Sequence, residues 1–310
     1  MTSQYLVQAT TAQDAIDLML SAPLAFDSPT NHRLRDRTLL ERAFASGRRR
    51  PAWVWAARDE HRVLATVAGL GIGDAVVLDH WGGAPTHGLD LALHAATQAL
   101  RTVPGSEACL HLPATASTAD PTAKPWLDAL SRHGWKLLVQ RHHYETPAVD
   151  ALGQEHISQL RLEQLTGPDD PRLRPLFRGI LRDSRDAHDI QLVDEVGLDQ
   201  AADRAVDDLL EADPWQCIRL AFDGNPDPVG MVSWVSLPGG RGYVNHVGVS
   251  AAARGHGFGR DLLALATREL VREGAATLIA DTDASNVPMT AAFTRVGWTA
   301  TETRLDFIPA

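Results

Sequence analysis

The chain has 310 residues, 44% of them hydrophobic and 22% charged, with a formal net charge of −10. That balance describes a folded chain with room for two domains. It disfavours a nonspecific nucleic-acid binder, since affinity for a phosphate backbone comes from Lys and Arg. No stretch approaches the roughly 18 apolar residues of a membrane span, and Met1 to Tyr5 has no basic-then-apolar leader. We therefore expect a cytoplasmic protein with neither nucleic acid nor membrane as partner.

In chain order, Gln4 to Gln8 reads as a strand, and Ala12, Ala15, Ile16, Met19 and Leu20 line one face of a helix. Leu39 to Ala45 is a further helix. The basic run Arg48-Arg49-Arg50 reads as a solvated loop. Strands follow at Ala52 to Ala57, Val63 to Gly69 and Ala75 to His80. The glycines Gly69, Gly71 and Gly73 lead into another strand rather than a helix, so they read as a hairpin and not as a dinucleotide loop. An amphipathic helix, Leu89 to Val103, ends at Pro104-Gly105. Then come a strand (Ala108 to Leu112), a loop (Ala114 to Thr122), a short helix (Trp126 to His133) and a strand (Trp135 to Tyr144).

Pro147 to Glu155 reads as a linker, which divides the chain into domains 1–150 and 151–310. Past it, Ile157 to Leu165 is a strand. Pro171 to Arg182 and Asp199 to Glu211 are helices joined by a polar connection, Asp183 to Val193. Strands at Gln216 to Phe222, Val229 to Val235 and Gly242 to Val249 precede a long helix, Phe258 to Glu273, closed by Gly274. Thr277 to Ala280 (strand), Val287 to Arg295 (helix) and Trp298 to Phe307 (strand) complete the chain. Both halves thus read strand, helix pair, three strands, helix, strand, helix, strand. Arg132, Gly134, Trp135, Arg141 and Tyr144 recur as Arg295, Gly297, Trp298, Arg304 and Phe307, each at one offset (295 − 132 = 163; 307 − 144 = 163). We read two homologous domains. Cys109 and Cys217 fall in apolar runs and read as buried free thiols.

The most informative stretch is Val247 to Asp261, where a strand runs through a basic, glycine-rich turn into a helix. Open backbone N–H groups at the positive end of a helix make a site for phosphate oxygens, and glycine lets the backbone come close. The turn has no following Lys-Ser/Thr, so it is not a nucleotide-hydrolysing loop.

Arg254, Gly257 and Gly259 meet the pattern Gln/Arg-x-x-Gly-x-Gly/Ala, and Asn286 with Phe293 to Trp298 follows downstream. In these features residues 157 to 308 resemble the GNAT superfamily of acyl-CoA-dependent N-acyltransferases. The resemblance implies a mixed α/β fold: two GNAT-like domains, each a mixed, mostly antiparallel twisted sheet flanked by helices. It implies acetyl-CoA or another acyl-CoA as co-substrate and a small-molecule or peptide amine as acceptor. The backbone of Val247 and Val249 would pair with the pantetheine arm. The amides of Gly255, His256, Gly257, Phe258, Gly259 and Arg260 would bind pyrophosphate, with Arg254 opening the turn. Asn286 would bond the arm, and Phe293 would line it near sulfur.

Acyl transfer to an amine needs a route for the amine's proton and donors for the oxyanion. Members of the family often place a Glu on the strand before the turn; that position is Tyr243 here. Many place a Tyr on the later helix; that position is Phe293, which has no proton to give. Tyr243, Asn245 and His246 are the remaining catalytic candidates. Strand alternation turns His246 away from the other two. Asp186, His188 and Asp189, in a polar loop where the family builds its acceptor wall, are candidates for holding a cationic amine. No metal is expected: His142 and His143 point to opposite faces, with no ligand at suitable spacing.

In the first half, Trp81 to Gly88 replaces the cofactor turn and lacks the leading Arg and the Gly-x-Gly, so no cofactor site is expected there. The resemblance also implies two strands after the last helix, where this chain has residues for one. The open edge calls for cover by the other half or by a second subunit. The chain would act as a monomer of two pseudo-equivalent domains or as a homodimer. The rivals to an N-acetyltransferase are an acyl-CoA-binding module with little catalysis and a scaffold.

Overall fold

The computed structural model describes residues 4–151 and 160–310. The elements are β1 (Tyr5–Gln8), α1 (Ala12–Ser21), α2 (Pro29–Arg33), α3 (Arg37–Ala45), β2 (Val54–Arg58), β3 (Val63–Ile72), β4 (Ala75–Gly83), α4 (His87–Leu100), β5 (Glu107–Pro113), α5 (Lys124–Arg132) and β6 (Trp135–Pro147). They continue with α6 (Ala148–Ala151), β7 (Arg161–Gln164), α7 (Leu173–Leu181), α8 (Ala187–Val196), α9 (Leu198–Ala212), β8 (Ile218–Phe222), β9 (Gly230–Leu237), β10 (Arg241–Val249), α10 (Phe258–Arg272), β11 (Thr277–Asp283), α11 (Val287–Val296) and β12 (Ala300–Pro309). Apart from α6 the order of elements is the same in both halves, but three helices, not the predicted pair, follow the first strand of each.

Two compact units emerge, one of Met1–Gln140 with Thr301–Ala310 and one of Arg141–Ala300. These boundaries differ from the 150/151 division expected from the linker. The reason is strand pairing. The last strand of the chain, β12, pairs antiparallel with β5 of the first unit, from Glu302↔Pro113 to Phe307↔Ala108. The second half of β6 pairs antiparallel with β11 of the second unit, from Thr277↔Pro147 to Asp283↔Arg141. The edge of β11 that lacked a strand in the sequence is covered in this way. The segment expected to be a linker is in part core: Pro147 ends β6, and Ala148 and Ala151 are buried in the second unit.

In the first unit, β1 to β5 and β12 lie side by side in that order. One face buries Leu89, Leu93, Ala96 and Leu100 of α4 against Val67, Leu78 and Leu110; the other buries Ile16 and Met19 of α1 against Val54 and Ala68. Arg49 corrects the reading of a solvated basic loop. It is buried, with paired bonds to Asp79 (2.9 and 2.6 Å) and one to the Gly69 carbonyl (3.1 Å). A buried guanidinium needs such a forked partner.

In the second unit the order is β6, β11, β10, β9, β8, β7. α10 and α11 cover one face through Leu262, Leu263, Ala266, Leu270 and Phe293. α7 and α9 cover the β8–β9 end of the other through Phe177, Ile180, Ala202 and Val206. The predicted polar connection over 183–193 is helical from Ala187 onward. Asp186 caps it, accepting from the N–H groups of His188 and Asp189, while Leu192, Val193 and Val196 pack on the core. The predicted strand over 157–165 begins outside the described residues; its described part is β7.

Cys109 is buried and Cys217 half-buried, both as free thiols. Among the described residues no helix is long and apolar enough to cross a membrane, and no three His, Cys, Asp or Glu side chains cluster as metal ligands.

Candidate active site

The site is organised by a parting of two strands. β10 and β11 run parallel and pair only over Arg241↔Thr277, Gly242↔Leu278 and Tyr243↔Ile279. Beyond Tyr243 they separate, while β10 stays paired with β9 as far as Val249↔Gly230. Ser250 N–H donates to the Val229 carbonyl at 2.9 Å. Bonding direction alternates along an antiparallel strand, so the N–H and C=O of Val249 and Val247 point away from β9, into the opening beside β11. These are the two residues whose backbone the resemblance assigned to the pantetheine arm.

A bulge corrects the face assigned to His246. The register passes from Val244↔Trp234 to His246↔Ser233, which leaves Asn245 as the extra residue. Simple alternation would have set His246 opposite Tyr243. With the bulge both lie on the α7 face, where the His246 ring is 5.3 Å from that of Phe177. Its Nε2 is buried with no hydrogen-bond partner among the described residues. Asn245 donates to Asp213 at 3.0 Å.

The turn after β10 is held from below. Arg254 donates to the carbonyls of Val249 (3.2 Å), Asp183 (2.6 Å) and Ile180 (2.6 Å). Its guanidinium therefore ties the turn to the end of α7. Gly255 and Gly257 sit at φ +90° and +84°, the left-handed region where a side chain is strained. Gly257 is the N-cap of α10, and the bond from Asp261 N–H to the Gly257 carbonyl (3.2 Å) spans the helix's first turn. The amides of Phe258, Gly259 and Arg260 have no helical acceptor. With Gly255, His256 and Gly257 before them they form a run of backbone donors at a helix N-terminus, a place that favours anions.

Asn286 caps α11, its Oδ1 accepting from Met289 N–H (3.4 Å). Phe293 is a core residue, 2% exposed, stacked on Tyr144 at 4.0 Å and edge-on to Trp298 at 5.3 Å.

A polar network covers the α8 side of the opening. Tyr243 Oη donates to Asp281 Oδ2 (3.2 Å), and Asp281 Oδ1 is 2.9 Å from His143 Nδ1. Asp283 accepts from Ala187 N–H (2.7 Å) and pairs with Arg141 Nε (2.9 Å). Arg141 also reaches Asp186 (2.9 Å) and His188 Nδ1 (2.9 Å), and Ser184 donates to Asp189 (2.7 Å). Burial raises the carboxyls of Asp283 and Asp189, and the charge of Asp186 adds to both. Asp186, His188 and Asp189 thus stand together as expected, but Asp186 is committed to its helix and to Arg141.

Sequence reasoning missed Asp281, Asp283, Arg141 and His143. The signal was Asp281-Thr282-Asp283, two carboxylates on one face of a strand. Arg141 and His143 had no signal, because nothing local says that β6 ends beside β11.

The first unit repeats the geometry with the opening filled. β4 and β5 pair in parallel only at Val77↔Glu107 and Leu78↔Ala108. A bulge at Asp79 follows, with His80 opposite Ala68. His80, Gly82 and Gly83 correspond to His246, Gly248 and Val249 (246 − 80 = 248 − 82 = 249 − 83 = 166). Here, however, Leu24 bridges to Gly82 on the edge away from β3, and Gly83 N–H donates to the Pro23 carbonyl at 2.7 Å. The indole N–H of Trp81 closes the remaining gap by donating to the Cys109 carbonyl (2.6 Å).

Residues 181–298 match the model of the acetyltransferase (GNAT) family. This segment is a GNAT-family acetyltransferase domain. Solved structures share the fold over nearly the whole chain. A GCN5-related N-acetyltransferase from Sphaerobacter thermophilus is 13% identical, with TM-score 0.58, over 98% of this chain and 94% of its own. A tandem GNAT protein from the clavulanic acid biosynthesis pathway is 15% identical, with TM-score 0.53, over 98% of both chains. A glucosamine N-acetyltransferase region in a fungal multi-domain GH3 beta-N-acetylglucosaminidase is 13% identical, with TM-score 0.60, over 99% of this chain and 38% of that one. No curated protein sequence matches the chain.

Proposed function

We propose that the second unit transfers an acetyl or other acyl group from acyl-CoA directly to a primary amine, and that it holds the chain's one cofactor site. The observation that carries this reading is the open edge of β10. The backbone of Val247 and Val249 faces the gap beside β11, and the strand leads straight into the amide-rich turn of Gly255 to Arg260. An extended amide-bearing arm adds to such an edge as a strand would, with its phosphates on the helix N-terminus. The arm bonded along Val249 and Val247 then carries its thioester toward the Tyr243 end of the opening, and proximity supplies much of the acceleration. The acceptor enters on the α7–α8 side, past Asp189 and His246.

The test is a screen of primary amines with acetyl-CoA, read as release of free thiol. Release that depends on one class of amine supports the transferase. Acetyl-CoA binding without release for any amine would instead favour an acyl-CoA-binding module. Phe293 motivates that second reading, because it is buried and has no hydroxyl where a proton donor is expected.

A further inference from the structure

We propose that Tyr243, Asp281 and His143 form the proton shuttle of the acyl transfer, with Tyr243 as the catalytic residue and the other two as positioning residues. The inference rests on the transferase reading above and supplies what that reading lacks.

The geometry is specific. Tyr243 is the last residue of β10 paired with β11, so its side chain stands at the vertex of the opening. An arm that enters at the Gly255–Arg260 turn and runs back along β10 brings its sulfur end toward that vertex. Asp281 lies two residues beyond Ile279, on the same face, with its side chain 8% exposed. One carboxylate oxygen accepts from Tyr243 and the other faces His143 Nδ1. Its neighbour on the strand, Asp283, is engaged by Arg141 and by the first turn of α8, and serves the fold. Asp281 is thus the carboxylate whose hydrogen-bond partner is itself a proton carrier.

The steps balance. As the amine nitrogen forms its bond to the thioester carbon, Tyr243 oxygen takes one N–H proton and passes its own to Asp281. The C–S bond then breaks with its electron pair on sulfur. Tyr243 gives the sulfur its proton and recovers one from Asp281. The proton that leaves nitrogen ends on sulfur, the shuttle returns to its starting state, and no other reactant is required. His143 holds Asp281 against rotation. One phenol thereby performs both of the roles left open by the absent Glu and by Phe293.

The experiment uses the full chain with acetyl-CoA, the best primary amine from the screen, and hydroxylamine as a weakly basic acceptor. Tyr243→Phe and Asp281→Asn are expected to lower kcat for the primary amine by about 100-fold, with the Kd for acetyl-CoA unchanged. The loss is smaller with hydroxylamine, whose adduct sheds its proton more readily. Unchanged acetyl-CoA affinity also shows that each variant is folded. Turnover by either variant equal to wild type, or an equal loss with both acceptors, would overturn the shuttle and leave the transferase reading intact. No turnover by wild type with any acceptor would overturn the transferase reading, and the shuttle with it.

Discussion

Gly83 N–H donates to the Pro23 carbonyl at 2.7 Å. The corresponding amide in the second unit is that of Val249, which faces an open edge. One strand position therefore has two states in one chain. In the first unit the chain fills its own opening with Pro23, Leu24 and Trp81; in the second no strand pairing with β11 is seen beyond Tyr243↔Ile279 among the described residues. A filled edge is stable because its backbone groups are paired. Opening it would require replacing those bonds.

The turn should be sensitive to any side chain at Gly257. Its φ of +84° disfavours a Cβ whatever the space around it. Gly257→Ala is expected to weaken acetyl-CoA binding by roughly tenfold, equivalent to the ~1–2 kcal/mol of left-handed strain at one residue. Gly257→Glu, which also brings a negative charge to the anion site, should abolish it. Calorimetric titration of the two variants measures both effects.

Arg254 should behave as a structural tie. Arg254→Lys keeps the charge but cannot span the carbonyls of Val249, Asp183 and Ile180 with one planar fork. The expected outcome is a lower melting temperature and weaker cofactor binding together. A variant that loses affinity at unchanged thermal stability would instead assign the side chain to direct phosphate contact.

The bulge face can be probed at Gly248. A Cβ there would meet Ile180 Cδ1 at 2.6 Å and His246 Nε2 at 2.9 Å. Gly248→Ala is expected to cost about 1–3 kcal/mol as an overpacking change, read by denaturant unfolding, and to disturb His246. A loss of much less than about 1 kcal/mol would show that neither Ile180 nor His246 packs on this face of Gly248.

His80 gives a pH dependence with a definite sign. Burial lowers its imidazole to about 3, so the folded protein holds it neutral. The unfolded chain protonates near pH 6.5. Stability from this residue is fully present above pH 6.5 and declines as the pH falls toward 3, by about 1.4 kcal/mol per pH unit within that window. His80→Asn should flatten the wild-type slope of unfolding free energy between pH 6 and pH 4. An unchanged slope would show that His80 is protonated in the folded state.

The order of elements was readable because each carries a local signal. Val247 to Gly259 shows strand, glycine turn and helix in thirteen residues, and Gly134 and Gly297 both take positive φ at the ends of matching helices. What was not readable depended on contacts distant in sequence. The bulge at Asn245 leaves no mark in composition, yet it reverses the face of His246. The exchange of β6 and β12 turns on pairing, so Arg141 and His143 could not be assigned to the site. Asp186 was noticed as a polar loop residue, whereas its position before apolar residues three apart, Ile190, Val193 and Val196, marks a helix cap.

The most direct test of the central claim is a calorimetric titration of the full chain with acetyl-CoA. One bound molecule per chain is expected. Two molecules per chain would contradict the filled opening of the first unit, and none would contradict the cofactor site of the second.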